Sequence, residues 1–297
     1  MKVRAYITHK NNEDFSDCQD RFHIDKKEKR VAVSDGISQS IFSQYWADLL
    51  SKRYVDKGKC DESDRVELCS KWLKLVQTEL KRQQKKGIST WLLENNLTRH
   101  NGAGATICGV EFQDSKKWRA SILGDSCVVI VKERKKVKLF SSEEKTFDSL
   151  PDYYDSYQEN KGKGQIRNFD GQIDEKTIMY LVTDPFSELF QRFENEEKKI
   201  EEISEKIRKL KTHDDFCQFV DECRREYNMR DDDSTLCVVE YDGQDNMTII
   251  NDDSGCITGK PAKKVNRQSK NRRCSLDIVL DKIKAFFQMP LFYEKIM

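Results

Sequence analysis

Three apolar runs in the sequence end on an aspartate: "RVAVSDG" at 30–36, "RASILGD" at 119–125 and "YLVTD" at 180–184. Each run is short and rich in β-branched or aromatic residues, which marks a strand rather than a helix. One aspartate after a strand is an ordinary turn residue, and Pro185 directly after Asp184 fits a turn as well. The repetition is what constrains the fold. Strands that keep ending on carboxylates mount those carboxylates on sheet ends, where the backbone is rigid enough to position a ligand.

The remaining pattern supplies a sheet-and-helix frame. Residues 2–8, "KVRAYIT", alternate as a strand does, and Ile41, Phe42, Tyr45, Trp46, Leu49 and Leu50 recur at helical spacing. Leu68, Cys69, Trp72, Leu73, Leu75 and Val76 predict a second helix over about 64–84. A strand opens near Ala105, and "WRASILGD", "CVVIVKE" and "KVKLF" continue it as an antiparallel meander. Residues 141–175 show no period and read as a surface flap or loop. "TIMYLVTD" is a strand again, charged helices are expected over about 188–210 and 214–227, and "STLCVVEYD" is the last strand.

Composition narrows the function classes. The 297 residues suffice for one large domain with a tail, and 35% charged against 37% hydrophobic residues is polar for an enzyme but not the balance of a disordered chain. Lys and Arg number 53 and Asp and Glu 52, so no net field favours nucleic acid as a partner. The amino terminus lacks an apolar core of the signal-peptide kind, and no apolar stretch is long enough to cross a bilayer, so a soluble, cytoplasmic protein without membrane contact is expected. The ten cysteines are scattered without a CxxC pair or metal-ligand spacing, which predicts reduced thiols rather than disulfides, zinc ligands or nucleophiles. The chain divides into a domain over 1–250, a basic linker over 251–275 with an "RRCS" stretch like a basophilic kinase site, and a helical segment over 276–297.

Read in order, the strand-end acids are Glu13 and Asp14 in "NNED", Asp35 in "SDG", Asp125 in "GDS", Asp184 in "TDP" and Asp231, Asp232 and Asp233 in "RDDDST". Oxygen-only ligands of this kind select hard divalent ions, Mg2+ or Mn2+, over zinc. Converging carboxylates repel one another unless cations keep them ionised, and two ions about 4 Å apart share a water and clamp a phosphoryl group.

The ordered set "NNED", "VAVSDG", "GAGAT", "ILGDS", "LVTD" and "DDST", spanning about residues 3–242, resembles the metal-dependent serine/threonine protein phosphatases of the phosphatase 2C type, in a divergent, bacterial-like form. The resemblance implies an α+β fold, a four-layer α-β-β-α sandwich with two central antiparallel sheets and metals at one edge. It implies hydrolysis of phosphoserine and phosphothreonine on proteins through a metal-bridging water, with two Mn2+ or Mg2+ ions and room for a third. Carried onto this sequence, Asp35 bridges both ions, the Gly36 carbonyl binds the first, Asp184 and Asp232 hold the second, and Asp14 with Glu13 acts through bound waters. Asp125 joins a third, weaker site near Asp184, where Glu188 stands at a usual Asp position, and Gly102 and Gly104 pack closely beneath. The implied partners are a phosphoprotein substrate and a cognate kinase.

The departures define the alternatives. His9, with Lys10 beside it, occupies the position of the family's phosphate-gripping arginine, which reduces a bidentate clamp to a single donor, and Arg4 or Arg21 is open as a substitute. "DGISQ" has no histidine after Gly36, Cys127 stands where an arginine is usual, and Pro185 replaces a glycine. A phosphatase-like module with weakened turnover, acting by binding or regulation, is the second expectation.

Overall fold

The computed structural model describes residues 1–257 apart from 115, 134–135, 143–150 and 161, and those residues lie in one compact unit. The strands are β1 (Lys2–Thr8), β2 (Arg21–Asp25), β3 (Arg30–Ser34), β4 (Gly104–Ala105), β5 (Ile107–Phe112), β6 (Lys117–Leu123), β7 (Cys127–Lys132), β8 (Lys136–Phe140), β9 (Tyr154–Asp155), β10 (Arg167–Gln172), β11 (Thr177–Val182), β12 (Ser234–Glu240) and β13 (Thr248–Asp252). The helices are α1 (Ser43–Lys57), α2 (Glu62–Lys85), α3 (Trp91–Thr98), α4 (Asp184–Arg192), α5 (Glu197–Lys209), α6 (His213–Glu226) and α7 (Ser254–Ile257).

One sheet has the order β13-β1-β12-β11-β7-β8 and the other β10-β6-β5-β3-β2. All pairs are antiparallel except the edge pair β1 and β13, which is parallel. Side-chain alternation explains the layering. Val3, Ala5 and Ile7 of β1, Met179 and Leu181 of β11, and Cys237 and Val239 of β12 share one buried cluster with Val31 and Val33 of β3 and Cys108 and Val110 of β5. The intervening residues Tyr6, Tyr180, Val182, Leu236 and Val238 face α4, α5 and α6 through Phe186, Ile203 and Phe216. On the far side, Ala32 and Ile107 meet Trp46, Leu50 and Tyr54 of α1 and Trp72 of α2. Strands buried on both faces read as continuous apolar runs, and the expected four-layer sandwich follows from packing both faces of both sheets.

Four local expectations change. The meander breaks at Gly124: β5 and β6 pair in one sheet, β7 and β8 in the other, and the chain crosses between sheets in the turn 124–126. Gly124 has φ +99°, and a Cβ there would lie 2.6 Å from the Asp152 carbonyl oxygen, so glycine makes this crossing possible. The aperiodic segment contains β10, which pairs along β6 although its sequence, "RNFDGQ", is polar because most of it faces outward. The single helix expected over 188–210 is two, α4 and α5, with Pro185 in the first turn of α4, where its missing N–H has no helical partner to lose. The boundary expected at 250 falls inside β13, whereas 258–297, with most of the linker and the C-terminal segment, lie outside the described residues. Among the described residues no helix is long and apolar enough to cross a membrane.

Gly109 of β5 lies under the Tyr54 ring, where an added Cβ would meet ring carbons at 2.4 Å, and Tyr54 is 1% exposed. Gly109→Ala is therefore expected to lower stability by about 1–3 kcal/mol, the usual cost of overpacking a core. Urea unfolding checks this; an unchanged midpoint contradicts the packing described.

Candidate metal centre

Antiparallel pairing brings strand ends and strand starts to the same sheet edge. Thr8 at the end of β1 pairs with Ser234 at the start of β12, Val182 at the end of β11 with Cys127 at the start of β7, and Ser34 at the end of β3 with Arg21 at the start of β2. The acids flanking these positions are thereby gathered at one end of the sandwich. A cavity of about 110 Å³ opens there, and its lining includes Asp35, Gly36, Asp125, Asp184, Arg230 and Asp232.

Each acid has its own mount. The Asp35 backbone is clamped on the "GAGAT" strand entry: its N–H donates to Thr106 Oγ1 at 3.0 Å, and the Thr106 N–H donates to its carbonyl at 2.8 Å. Gly102 and Gly104 keep that entry close, because a Cβ on either would lie 2.5–2.7 Å from Asp155 or Tyr153. Asp125 is 2% exposed in the turn that joins the two sheets. Asp184 is the first residue of α4, where the helix dipole favours a carboxylate, and Glu188 stands one turn along the same face. Asp232 precedes β12, and its Oδ1 accepts the Asp233 N–H at 2.9 Å.

The "NNED" acids are placed differently. Asp14 is exposed in a turn with Asp17 and does not line the cavity, and Glu13 pairs with Lys10 at 3.7 Å. The acid that reaches the sheet end is Asp20, fully buried just before β2. Its Oδ2 accepts from the hydroxyls of Thr183 and Thr235, each at 2.7 Å, and its Oδ1 is buried without a hydrogen-bond partner. Asp233 is also buried and accepts the N–H groups of Lys10 at 3.0 Å and Gln19 at 2.6 Å. The signal for Asp20 is "DRFHID", an acid before an apolar alternation that is strand β2.

The positive groups also differ from expectation. The His9 ring packs edge-on against Phe15 and its Nδ1 lies 2.9 Å from the Lys10 carbonyl, outside the cavity lining. Lys10 is nearer the acids, with Nζ 3.6 Å from Asp232. Arg4 and Arg21 are buried and spent on other groups: Arg4 donates to carbonyls at the end of α5 and to Glu240, Arg21 to the Cys18 and Asp20 carbonyls. Arg230, which the strand-by-strand reading passes over, pairs with Asp184, with Glu188 at 3.3 Å and with Asp232 at 3.8 Å.

The electrostatics follow from this crowding. Burial raises the Asp35 carboxyl well above the usual range, and the charges of Asp20, Asp125, Asp232 and Asp233 raise it further. Burial and then Asp233 push Asp20 up to about 8 against the pull of its two threonine hydroxyls. Asp233 is raised by burial despite its two N–H donors, and Glu188 is raised by burial although Arg192 opposes this.

No family model and no curated protein sequence matches the chain. Solved structures do. A bacterial serine phosphatase superposes with a TM-score of 0.51 at 12% identity, over 82% of this chain and 98% of that one. The chain has the fold of a bacterial serine phosphatase. The serine/threonine phosphatase Stp1 of Staphylococcus aureus (TM-score 0.49, 12% identity, 81% and 95% covered) and PstP/Ppp of Mycobacterium tuberculosis (TM-score 0.49, 12% identity, 80% and 96% covered) are similar to it at a lower level. The phosphatase 2C-type sandwich that the ordered motifs imply is therefore the fold observed, with all the cavity acids at one end of it.

The donor set in this phosphatase fold suits hard divalent cations. Asp35, Asp184 and Asp232 present carboxylates to a shared space, and among the described residues Asp20 Oδ1 has no donor and Arg230 is the one guanidinium that lines the cavity. Asp20 also sets a pH dependence. A carboxyl whose pKa is higher folded than unfolded binds more protons in the folded state, so its favourable contribution is complete at acid pH and is lost as pH rises toward about 8. In chelator, wild-type stability is expected to fall between the ordinary carboxylate range and pH 8, and Asp20→Asn is expected to flatten that fall. Denaturant titrations at several pH values check it; parallel profiles for the two proteins contradict it.

Proposed function

We propose that the chain is a Mn2+- or Mg2+-dependent phosphatase that removes phosphate from phosphoserine and phosphothreonine in proteins. The observation that carries this reading is the convergence of Asp35, Asp125, Asp184 and Asp232, from both sheets, on one cavity. Asp35, the Gly36 carbonyl, Asp184 and Asp232 would hold two ions, and Asp125 and Glu188 are suited to a weaker third. Bound there, the ions supply an acidified water and positive charge to offset the phosphoryl oxygens. The protein's own part is positional: Thr106 fixes the Asp35 backbone, the α4 terminus favours a carboxylate at Asp184, and Lys10, rather than His9, would donate to a substrate phosphate. A phosphoprotein partner, an opposing kinase and a cytoplasmic setting belong to the same proposal.

Arg230 favours a second reading, a phosphatase-like module that binds or regulates rather than turns over. A guanidinium paired with Asp184, Glu188 and Asp232 offsets part of their charge without any ion. In the enzyme reading Arg230 yields to the ions and competes with them; in the binding-module reading it replaces them.

Initial rates on a phosphothreonine peptide and on p-nitrophenyl phosphate, with Mn2+ varied, test the enzyme reading. Turnover is expected to require the metal, and Asp35→Asn and Asp184→Asn are each expected to cost about 100-fold or more in kcat, at least the upper end of what losing an outer metal partner costs. Arg230→Ala is expected to lower the Mn2+ concentration at half-maximal rate. An inert wild type that gains Mn2+ binding only on Arg230→Ala would establish the second reading instead.

A further inference from the structure

A different set of ligand-type side chains meets where α6 faces the end of β13. His213 and Cys217 lie four residues apart on α6, so they share a helix face. Asp253 and Cys256 follow β13, at the start of the short helix α7 and within it. Ligand atoms of His213, Asp253 and Cys256 all lie within 4.8 Å of one another. Cys217 Sγ lies 3.3 Å from His213 Nε2, and Asp253 Oδ2 lies 2.8 Å from Nδ1 on the other side of the ring. Asp253 is itself fixed, because its Oδ1 accepts from Asn251 Nδ2 at 3.1 Å and its N–H donates to the Ala5 carbonyl at 3.1 Å.

We propose that His213, Cys217 and Cys256 form a binding site for one Zn2+ or similar thiolate-preferring divalent ion, with Asp253 orienting the imidazole. A carboxylate on Nδ1 holds the tautomer whose Nε2 lone pair is free to ligate, the arrangement that metal-binding histidines commonly have. Tetrahedral zinc with bonds of about 2.0–2.3 Å needs its N and S ligands roughly 3.3–3.8 Å apart. Cys217 and His213 already stand at that spacing, Cys256 lies within 4.8 Å of a ring nitrogen of His213 and of the Asp253 carboxylate, and its thiol must turn toward Nε2 and Cys217 to close the set. Two sulfurs and one imidazole select a borderline ion, whereas the oxygen-only cavity selects Mg2+ or Mn2+. Binding displaces the two thiol protons to solvent and leaves two thiolates on the metal.

The consequence is a clasp. It ties α6 to the chain segment that follows β13, beside β1, where Cys217 also reaches Thr8 Oγ1 at 3.6 Å. The Phe15 ring lies 5.5 Å from the His213 ring and 4.8 Å from the His9 ring, so a fixed His213 supports the loop between β1 and β2 that carries Lys10 and Asp20. The linear sequence hides this site, because its ligands come from two separated segments and lack the close cysteine spacing of common zinc motifs. It does not depend on the phosphatase reading.

Cobalt substitution of the full chain tests the proposal. The purified protein is stripped with a chelator, loaded with one equivalent of Co2+, and its absorption spectrum is recorded; zinc content per chain is measured in parallel by mass spectrometry. The expected result is one ion per chain with the near-ultraviolet sulfur-to-cobalt band and the visible bands of a tetrahedral ion. Cys256→Ser and Cys217→Ser are expected to lose the sulfur band, Asp253→Asn to weaken binding about 10- to 100-fold, and Asp35→Asn to leave the spectrum unchanged. A wild-type spectrum without a sulfur band overturns the proposal whatever the variants do, as does a band that survives both cysteine variants or disappears in Asp35→Asn. Circular dichroism on each variant separates loss of the ligand from loss of the fold.

Discussion

Mutual repulsion among carboxylates at one end of the β-sandwich is the constraint on which the rest of the site depends. Asp20, Asp35, Asp125, Asp184, Asp232 and Asp233 are brought together by strand pairing, and the core residues that fix that pairing are buried on both faces of each sheet. The sheets therefore hold the acids closer than they would settle if free, and burial then raises Asp20, Asp35 and Asp233. A site in that condition is poised to accept positive charge. Arg230 and Lys10 supply part of that charge from within the chain, and in the proposed enzyme divalent cations would supply the rest.

The departures from the family pattern have a common theme. Pro185 allows α4 to begin directly at Asp184, so that Asp184 and Glu188 lie on one helix face and both meet Arg230. His9 packs on Phe15 outside the cavity lining, and the Lys10 ammonium lies 3.6 Å from Asp232. These changes keep the acid framework while altering which cations balance it, which is why metal competition rather than metal capacity separates the two functional readings.

Much of this was legible in the sequence because apolar strands buried on both faces leave a strong signal. β1, β3, β7, β11 and β12 are such strands, and Asp35, Asp125, Asp184 and Asp232, which flank them, line one cavity. Three of the four edge strands carry a weaker signal: β10 and β13 alternate exposed polar residues, and β2, "RFHID", is short and partly polar, so the buried Asp20 before it does not stand out as a strand-end acid. The sheet-to-sheet crossing at Gly124 was hidden because a tight turn within one sheet and a turn between sheets look alike in a short Gly-Asp-Ser stretch. Arg230 escaped notice because its role depends on three acids from separate segments, a relation that no local pattern encodes.

In the proposed enzyme the strand-end acids form a two-ion centre from which Arg230 withdraws. Anomalous diffraction at the manganese edge, on crystals grown with Mn2+, tests it most directly. Two peaks are expected between Asp35, Asp184 and Asp232, with the Arg230 guanidinium moved away from Asp184. A map with no peak among these residues, and Arg230 still paired with Asp184 and Glu188 at saturating Mn2+, would contradict it.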